Sequence, residues 1–176
     1  MTEQTERLQR LEHELHEQVH PWRFQPVVEA FQALRGVQCT VAVTTVAELG
    51  DLTRFDNPRQ LRNYLGLTPS EYSRGARRQQ GSMTKTGNTH ARRALVEGAW
   101  ASRYPAKVSR HLQLRLEKLP QAIQASSWKA QVRLCKRYRH LRATGKNAHQ
   151  VVVAMARALR AFLWAIAKQV AVTPKA

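Results

Sequence analysis

The sequence predicts an all-α fold, and three observations carry that prediction. Apolar residues recur at helical spacing, as in Leu8, Leu11, Leu15 and Val19 and again in Ala91, Ala94, Leu95, Gly98 and Ala99. Helix punctuation marks the segment ends: Asn57-Pro58 and Asn88 stand at starts, Gly36, Gly50 and Gly66 at turns or stops. A period-two alternation of apolar and polar residues, the mark of a half-buried strand, is almost absent. With 43% hydrophobic residues in 176, the chain can build a core for one ordinary domain, or one domain plus an appendage.

In chain order, residues 4–20 read as an exposed helix whose narrow apolar stripe suits a coiled-coil arm or a hairpin partner. Pro21 ends it, because the residue before a proline is driven out of the helical region. His13, His16 and His20 share one face and are expected to be solvated rather than metal-bound. A second helix is expected from about Pro26 to Leu34, a turn at Gly36, and a third helix, rich in Val and Thr, ending at Gly50. This helix–Gly36-Val37–helix arrangement resembles a helix-hairpin-helix, which offers free N–H groups at a helix start to a DNA phosphate. Gln38 stands where such hairpins often carry another glycine, and a plain packing corner is the alternative.

Asn57 caps the next helix, Pro58 is its first residue, and Gly66 ends it after Leu65. Residues 68–87 are then expected as a polar, cation-rich loop. A helix capped by Asn88 or Thr89 runs to about Arg103; a basic helix follows Pro105, another spans Trp128 to Leu141, and a long apolar one covers 147–171. The last is the only membrane candidate. Arg157 and Arg160 in its middle would each cost ~2.5–3.5 kcal/mol at a bilayer centre, so it is expected in the core, with its arginines leaving at one edge. The expected division is an N-terminal helical arm over 1–25 and a helical domain over 26–172.

Lys and Arg total 29 against 12 Asp and Glu, a formal charge of +17, and no acid follows Glu117. A one-signed field costs self-repulsion, so a polyanionic partner is its natural counterpart. Cys39 and Cys135 form no CxxC pair, which excludes a disulfide framework or zinc knuckle. The charged start MTEQTERLQR has no apolar signal region, and the expected compartment is the cytoplasm. A self-contained two-metal nuclease is not expected either. It needs several carboxylates converging on paired ions, whereas the acids beyond the arm are scattered in cap and surface contexts. No metal site is expected.

The stretch YSRGARRQQGSMTKTGNTHARR, 72–93, holds different chemistry. A hydroxyl that attacks a phosphodiester needs cations around the phosphoryl oxygens as their charge grows, and arginine forks supply them. Ser73 or Ser82 provides the hydroxyl, with Arg74, Arg77, Arg78, Lys85, Arg92 and Arg93 nearby; Gly75, Gly81 and Gly87 permit close backbone approach. A phosphate-gripping loop without chemistry uses the same residue types. Trp100, Tyr104, Trp128 and Tyr138 interleave with cations and could stack on bases, although core packing is the expected role of both tryptophans.

The run LRGV…VAELGDLTRFDNPRQLRNYLGLTPSEYSRG…QGSMTKTGNTHARRALVEGAW resembles the C-terminal transposase domain of the insertion-sequence 110/116/902 family, over roughly Phe31 to Val170. The resemblance implies a DNA recombinase of bacterial mobile elements. In that family a RuvC-like domain with a DEDD acidic set is joined by a coiled-coil segment to this helical domain. Its members work as oligomers, and a serine in the helical domain attacks DNA, guided in studied members by a bridging RNA. No DEDD set is found in these residues, so the chain is expected to lack the acidic half; any Mg²⁺ would belong to that half, and no cofactor is expected within this chain. The family serine commonly stands directly before the glycine, as SSG or QSG; here Arg74 precedes Gly75 and Ser73 precedes Arg74.

Ser73 is the expected nucleophile in the family serine's place, with Arg74 and Arg77 completing the expected catalytic group, and the resemblance implies a truncated enzyme that is not expected to act alone. Gly36, Val37, Arg78, Lys85, Asn88, Arg92 and Arg93 are the expected nucleic-acid ligands, with Arg133, Lys136, Arg137 and Arg139 holding DNA or guide RNA. The expected partners are DNA, a guide RNA and further copies or full-length relatives, with no membrane. The alternative is a non-catalytic nucleic-acid-binding remnant that modulates a full-length transposase.

Overall fold

The computed structural model describes residues 3–74, 77–84 and 86–170, with backbone alone for 71–74, 77–80 and 82. Among the described residues the elements are α1 (Glu3–Val19), α2 (Gln25–Phe31), α3 (Cys39–Leu49), α4 (Pro58–Tyr64), β1 (Pro69–Arg74), β2 (Arg77–Met83), α5 (Thr89–Ala99), α6 (Arg110–Leu116), α7 (Gln121–Ala143) and α8 (Ala148–Ala167). Short 3-10 turns cover Leu52–Arg54 and Trp100–Arg103. The fold is all-α, with one two-stranded hairpin inserted between α4 and α5.

Helix α8 is the axis. Val151, Val152, Met155, Ala156, Leu159, Leu163 and Ile166 are buried along it, and α2, α4, α5 and α7 pack around it. Its length and composition alone would let it cross a bilayer, yet in this fold other helices cover its apolar side. Three donors four residues apart stitch it to the segment ahead of α4. Arg160 Nη1 donates to the Pro58 carbonyl, Trp164 Nε1 to that of Phe55 at 2.8 Å, and Lys168 Nζ to that of Thr53 at 3.1 Å. A spacing of four keeps all three on one face of the helix. Arg160 departs from expectation here: it does not leave the core edge but is only 7% exposed.

The caps follow the sequence signals. Asn57 Oδ1 accepts from the amides of Arg59 and Gln60, at 2.9 and 3.1 Å, with Pro58 at the first helical position. Replacing Asn57 with Ala should cost about 1 kcal/mol, a fall of roughly 2–4 °C in thermal midpoint for a chain of this size. An unchanged midpoint would show that the cap contributes nothing. In α1, Leu15 and Val19 lie against the core while Leu8 and Leu11 are exposed, so its outer half has no cover among the described residues.

Within the expected loop over 68–87, residues 69–74 and 77–83 instead pair as a hairpin. β1 and β2 pair antiparallel, with Glu71 opposite Gln80, Tyr72 opposite Gln79, Ser73 opposite Arg78 and Arg74 opposite Arg77. A ladder held by backbone hydrogen bonds needs no apolar alternation, so hydrophobic patterning carried no trace of it.

Candidate nucleic-acid interface

The hairpin is seated by backbone-to-backbone contacts at its base. Gly66 (φ 59°) and Gly87 (φ 103°) adopt left-handed conformations that glycine tolerates. A Cβ on Gly66 would lie 1.8 Å from the Thr86 carbonyl oxygen, and one on Gly87 would lie 2.0 Å from that of Tyr64. The end of α4 and the approach to α5 therefore interlock. The Thr84 amide donates to the Thr68 carbonyl at 3.0 Å, and Thr84 Oγ1 to that of Gly66 at 3.4 Å.

This seating places Asn88 and Arg92 at the hairpin base, with the other predicted residues of the segment farther along the ladder. Ser73, Arg74, Arg77 and Arg78 occupy the last described rungs of the ladder before the tip. Lys85 lies outside the described residues. Asn88 Oδ1 caps α5 by accepting from the Ala91 amide at 2.9 Å, while Nδ2 donates to Glu48 Oε2 at 2.6 Å. Its side chain is thus committed on both sides to positioning α5. Arg92 is half-buried and braces the hairpin base, donating to the Leu65 carbonyl at 3.1 Å and to Thr89 Oγ1 at 3.3 Å. Arg93 is exposed on the same first turns.

Gly36 has φ 84°, and a Cβ there would sit 2.1 Å from the Gly98 carbonyl oxygen, so this turn is pressed directly onto α5. Val37 is fully buried, its amide donating to the Leu34 carbonyl at 3.0 Å. A phosphate contact from that amide, as the helix-hairpin-helix reading expects, meets a donor already in use. The helix start beyond it is better placed. The first-turn amides of α3 have no acceptor within the helix, and Gln38 makes no side-chain cap. Thr40 and Val41 there line a groove of about 200 Å³ with His90, Arg93 and Glu97 of α5.

The α7 cations do not act as one group. Arg133, Lys136, Arg137 and Arg139 are all exposed. Arg133 and Arg137, one turn apart, line a groove of about 360 Å³ with Arg157 and Arg160 of α8. Arg139 instead lies near Cys135 together with Arg35. Burial pushes the Cys135 thiol up, although those two arginines pull the other way. Burial, and secondarily Glu12, raises that of Cys39. Neither thiol is poised as a thiolate nucleophile.

Arg62, Arg157 and Arg160 escaped the sequence reading as site residues. The signal for two of them was present, as arginines three apart in an otherwise apolar helix. Among aromatics, Tyr104 is 48% exposed and carries the guanidinium carbons of Arg103 and Arg35 at 4.6 and 5.6 Å from its ring centre. Trp128 is 49% exposed, against the expectation of a core role, because it falls on the outer face of α7. Trp100 is half-buried against His149, with ring centroids 5.4 Å apart.

Residues 28–113 match the family described as Transposase IS116/IS110/IS902 family. Among curated relatives, "Putative transposase y4qE" of Sinorhizobium fredii is 46% identical over 148 residues, covering 84% of this chain and 38% of that protein. "Transposase for insertion sequence element IS1111A" of Coxiella burnetii is 34% identical over 70 residues, 40% of this chain and 19% of that protein. The chain thus spans under two-fifths of the length of either relative. The matched segment runs from α2 through the hairpin to α6, so it contains the whole interlocked base described above. On that match and these relatives, the chain belongs to the IS116/IS110/IS902 family of transposases.

Proposed function

We propose that this chain is the DNA-gripping, serine-bearing part of a transposase, acting on the ends of a bacterial insertion sequence in the cytoplasm. The register of the hairpin is the observation that carries the reading: Ser73 stands opposite Arg78, and Arg74 opposite Arg77. Directly opposed residues on antiparallel strands have Cα atoms about 4.5–5.5 Å apart, so a phosphodiester drawn to one of these arginines arrives beside the hydroxyl. In the proposed step the Ser73 oxygen forms a bond to phosphorus while one bond from phosphorus to a sugar oxygen breaks. The departing sugar oxygen becomes a hydroxyl, and the serine proton balances it through solvent. Arginine forks offset the charge gathering on the non-bridging oxygens. The phosphoserine ester conserves the bond energy, so rejoining needs no external energy source.

In this reading Arg92 and Asn88 position the site, Arg93 and the start of α3 meet the backbone beyond it, and the exposed α7 cations hold further DNA or a guide RNA. Gly36 and Val37 set the angle of the helix-hairpin-helix-like corner. The acidic half that the family resemblance implies, with any Mg²⁺ it binds, acts beside this domain in an assembly with other copies or full-length relatives.

Incubating the protein with DNA carrying element ends should trap a covalent protein–DNA adduct, seen as a band resistant to denaturation. Ser73→Ala should abolish the adduct and Ser82→Ala should leave it. An adduct insensitive to Ser73→Ala refutes the assignment. DNA affinity should also fall on the order of 10³-fold between 50 and 200 mM salt if six or more phosphates are held.

One observation favours a second reading, binding without chemistry: Arg74 fills the position directly before Gly75. That reading expects the same salt dependence, and no adduct from any DNA.

A further inference from the structure

The groove between α7 and α8 has an electrostatic arrangement that folding alone does not explain. Arg133 and Arg137 enter it from α7, Arg157 and Arg160 from α8. Arg62 of α4 is close enough for its charge to act on both Arg157 and Arg160. None of the five forms an ion pair with a carboxylate among the described residues. The Nε atoms of Arg62, Arg157 and Arg160 are buried with no hydrogen-bond partner. Arg160 is 93% buried by its 7% exposure, and a single one of its donors is accounted for, by the Pro58 carbonyl.

Buried donors without acceptors and like charges held together both cost free energy. The strain is visible in Arg160, whose pKa is pushed down to about 10, first by burial and then by Arg62 and Arg157. Four small residues, Ala154, Ala158, Ala161 and Ala165, lie along the same groove, leaving room for a backbone to come close.

We propose that this groove is a second phosphate-binding site, which holds the backbone of a nucleic-acid strand away from the hairpin. The shared chemistry is a phosphate dianion or phosphodiester accepting from several guanidinium groups. A strand is the favoured source because the four lining arginines face each other from α7 and α8 along an open groove rather than an enclosed cup, with Arg62 of α4 near Arg157 and Arg160. α4 connects the two sites: its leading residue, Pro58, accepts from Arg160, and the residue after its last turn, Leu65, accepts from Arg92. Seven residues of helical rise separate these two carbonyls by on the order of 10 Å, so one strand can cross α4 from hairpin to groove. This inference rests on the reading that the protein grips nucleic acid.

The test uses the full chain and the double substitution Arg62→Gln, Arg157→Gln, which leaves the α4 anchor at Arg160 intact. Binding of a labelled 20-nucleotide DNA, single- and double-stranded, is measured from 50 to 200 mM salt, with thermal midpoint in parallel. The double variant should melt at or above the wild-type temperature, because like-charge repulsion is relieved. Its DNA affinity should fall at least ten-fold, with the slope of log K against log salt shallower by about 2. Unchanged affinity and slope overturn the proposal while leaving the hairpin reading intact. If the wild type binds no DNA, both fall. If inorganic pyrophosphate raises the wild-type midpoint, the double variant loses that shift and DNA binding is unaltered, the site belongs to a small free phosphate and the strand assignment is overturned.

Discussion

Gly36→Ala should destabilise the protein by at least about 2 kcal/mol and lower its thermal midpoint by at least roughly 4 °C. Two independent costs add. The φ of 84° at Gly36 is one that residues with a Cβ rarely adopt, worth about 1–2 kcal/mol. The new methyl would also sit 2.1 Å from the Gly98 carbonyl oxygen and 2.7 Å from the Ala101 Cβ. Backbone cannot swing aside as a side-chain tip can, so α5 would have to withdraw from the turn between α2 and α3. The reciprocal change is a control. A Cβ on Gly98 meets the Gly36 carbonyl oxygen at 3.1 Å and Val41 Cγ1 at 3.4 Å, a tight contact that the roughly 1 kcal/mol gain in helix propensity partly offsets. Chemical denaturation of both variants checks the pair, and equal losses would refute the asymmetry.

Gly87→Ala should act on function more than on fold. Its methyl would meet the Tyr64 carbonyl oxygen at 2.0 Å, so the segment leading into α5 must move away from the end of α4, carrying the hairpin base with it. A shift of about 1 Å at a reacting group can cost on the order of 10²-fold in rate. The expected result is adduct formation slowed by about that factor, with the helical core still folded by circular dichroism and melting within several degrees of wild type. Adduct formation at the wild-type rate would mean that hairpin placement does not govern the chemistry, and the Ser73 assignment would lose its support. Gly66→Ala, whose methyl would lie 1.8 Å from Thr86, tests the same interlock from the other side.

Much of the helical framework was legible because its signals are local. Asn57, Pro58 and Gly66 bound α4 as their cap and turn chemistry requires, Asn88 caps α5, and Gly50 ends α3 with φ 63°. The hairpin was not legible, since backbone pairing leaves no apolar period to read. The α7 helix begins at Gln121 rather than near Trp128, because Pro120 at its N-cap starts a turn in which only Ile123 is a large apolar residue, too little to show an apolar pattern. The role of Asn88 was half visible: its cap is a sequence signal, whereas its bond to Glu48, forty residues away, is not.

By itself the sequence determined the all-α class, the family, the excess of cations and the candidate serine, because composition, caps and motif spacing are properties of the chain read in order. Tertiary structure alone decided which of those cations meet. It divided the α7 arginines between two surroundings, buried Arg160 against the carbonyl of Pro58, and set Arg62 beside Arg157 across helices that lie nearly a hundred residues apart in the chain. The physical reason is that charge acts through distance in space, and only packing around α8 sets those distances.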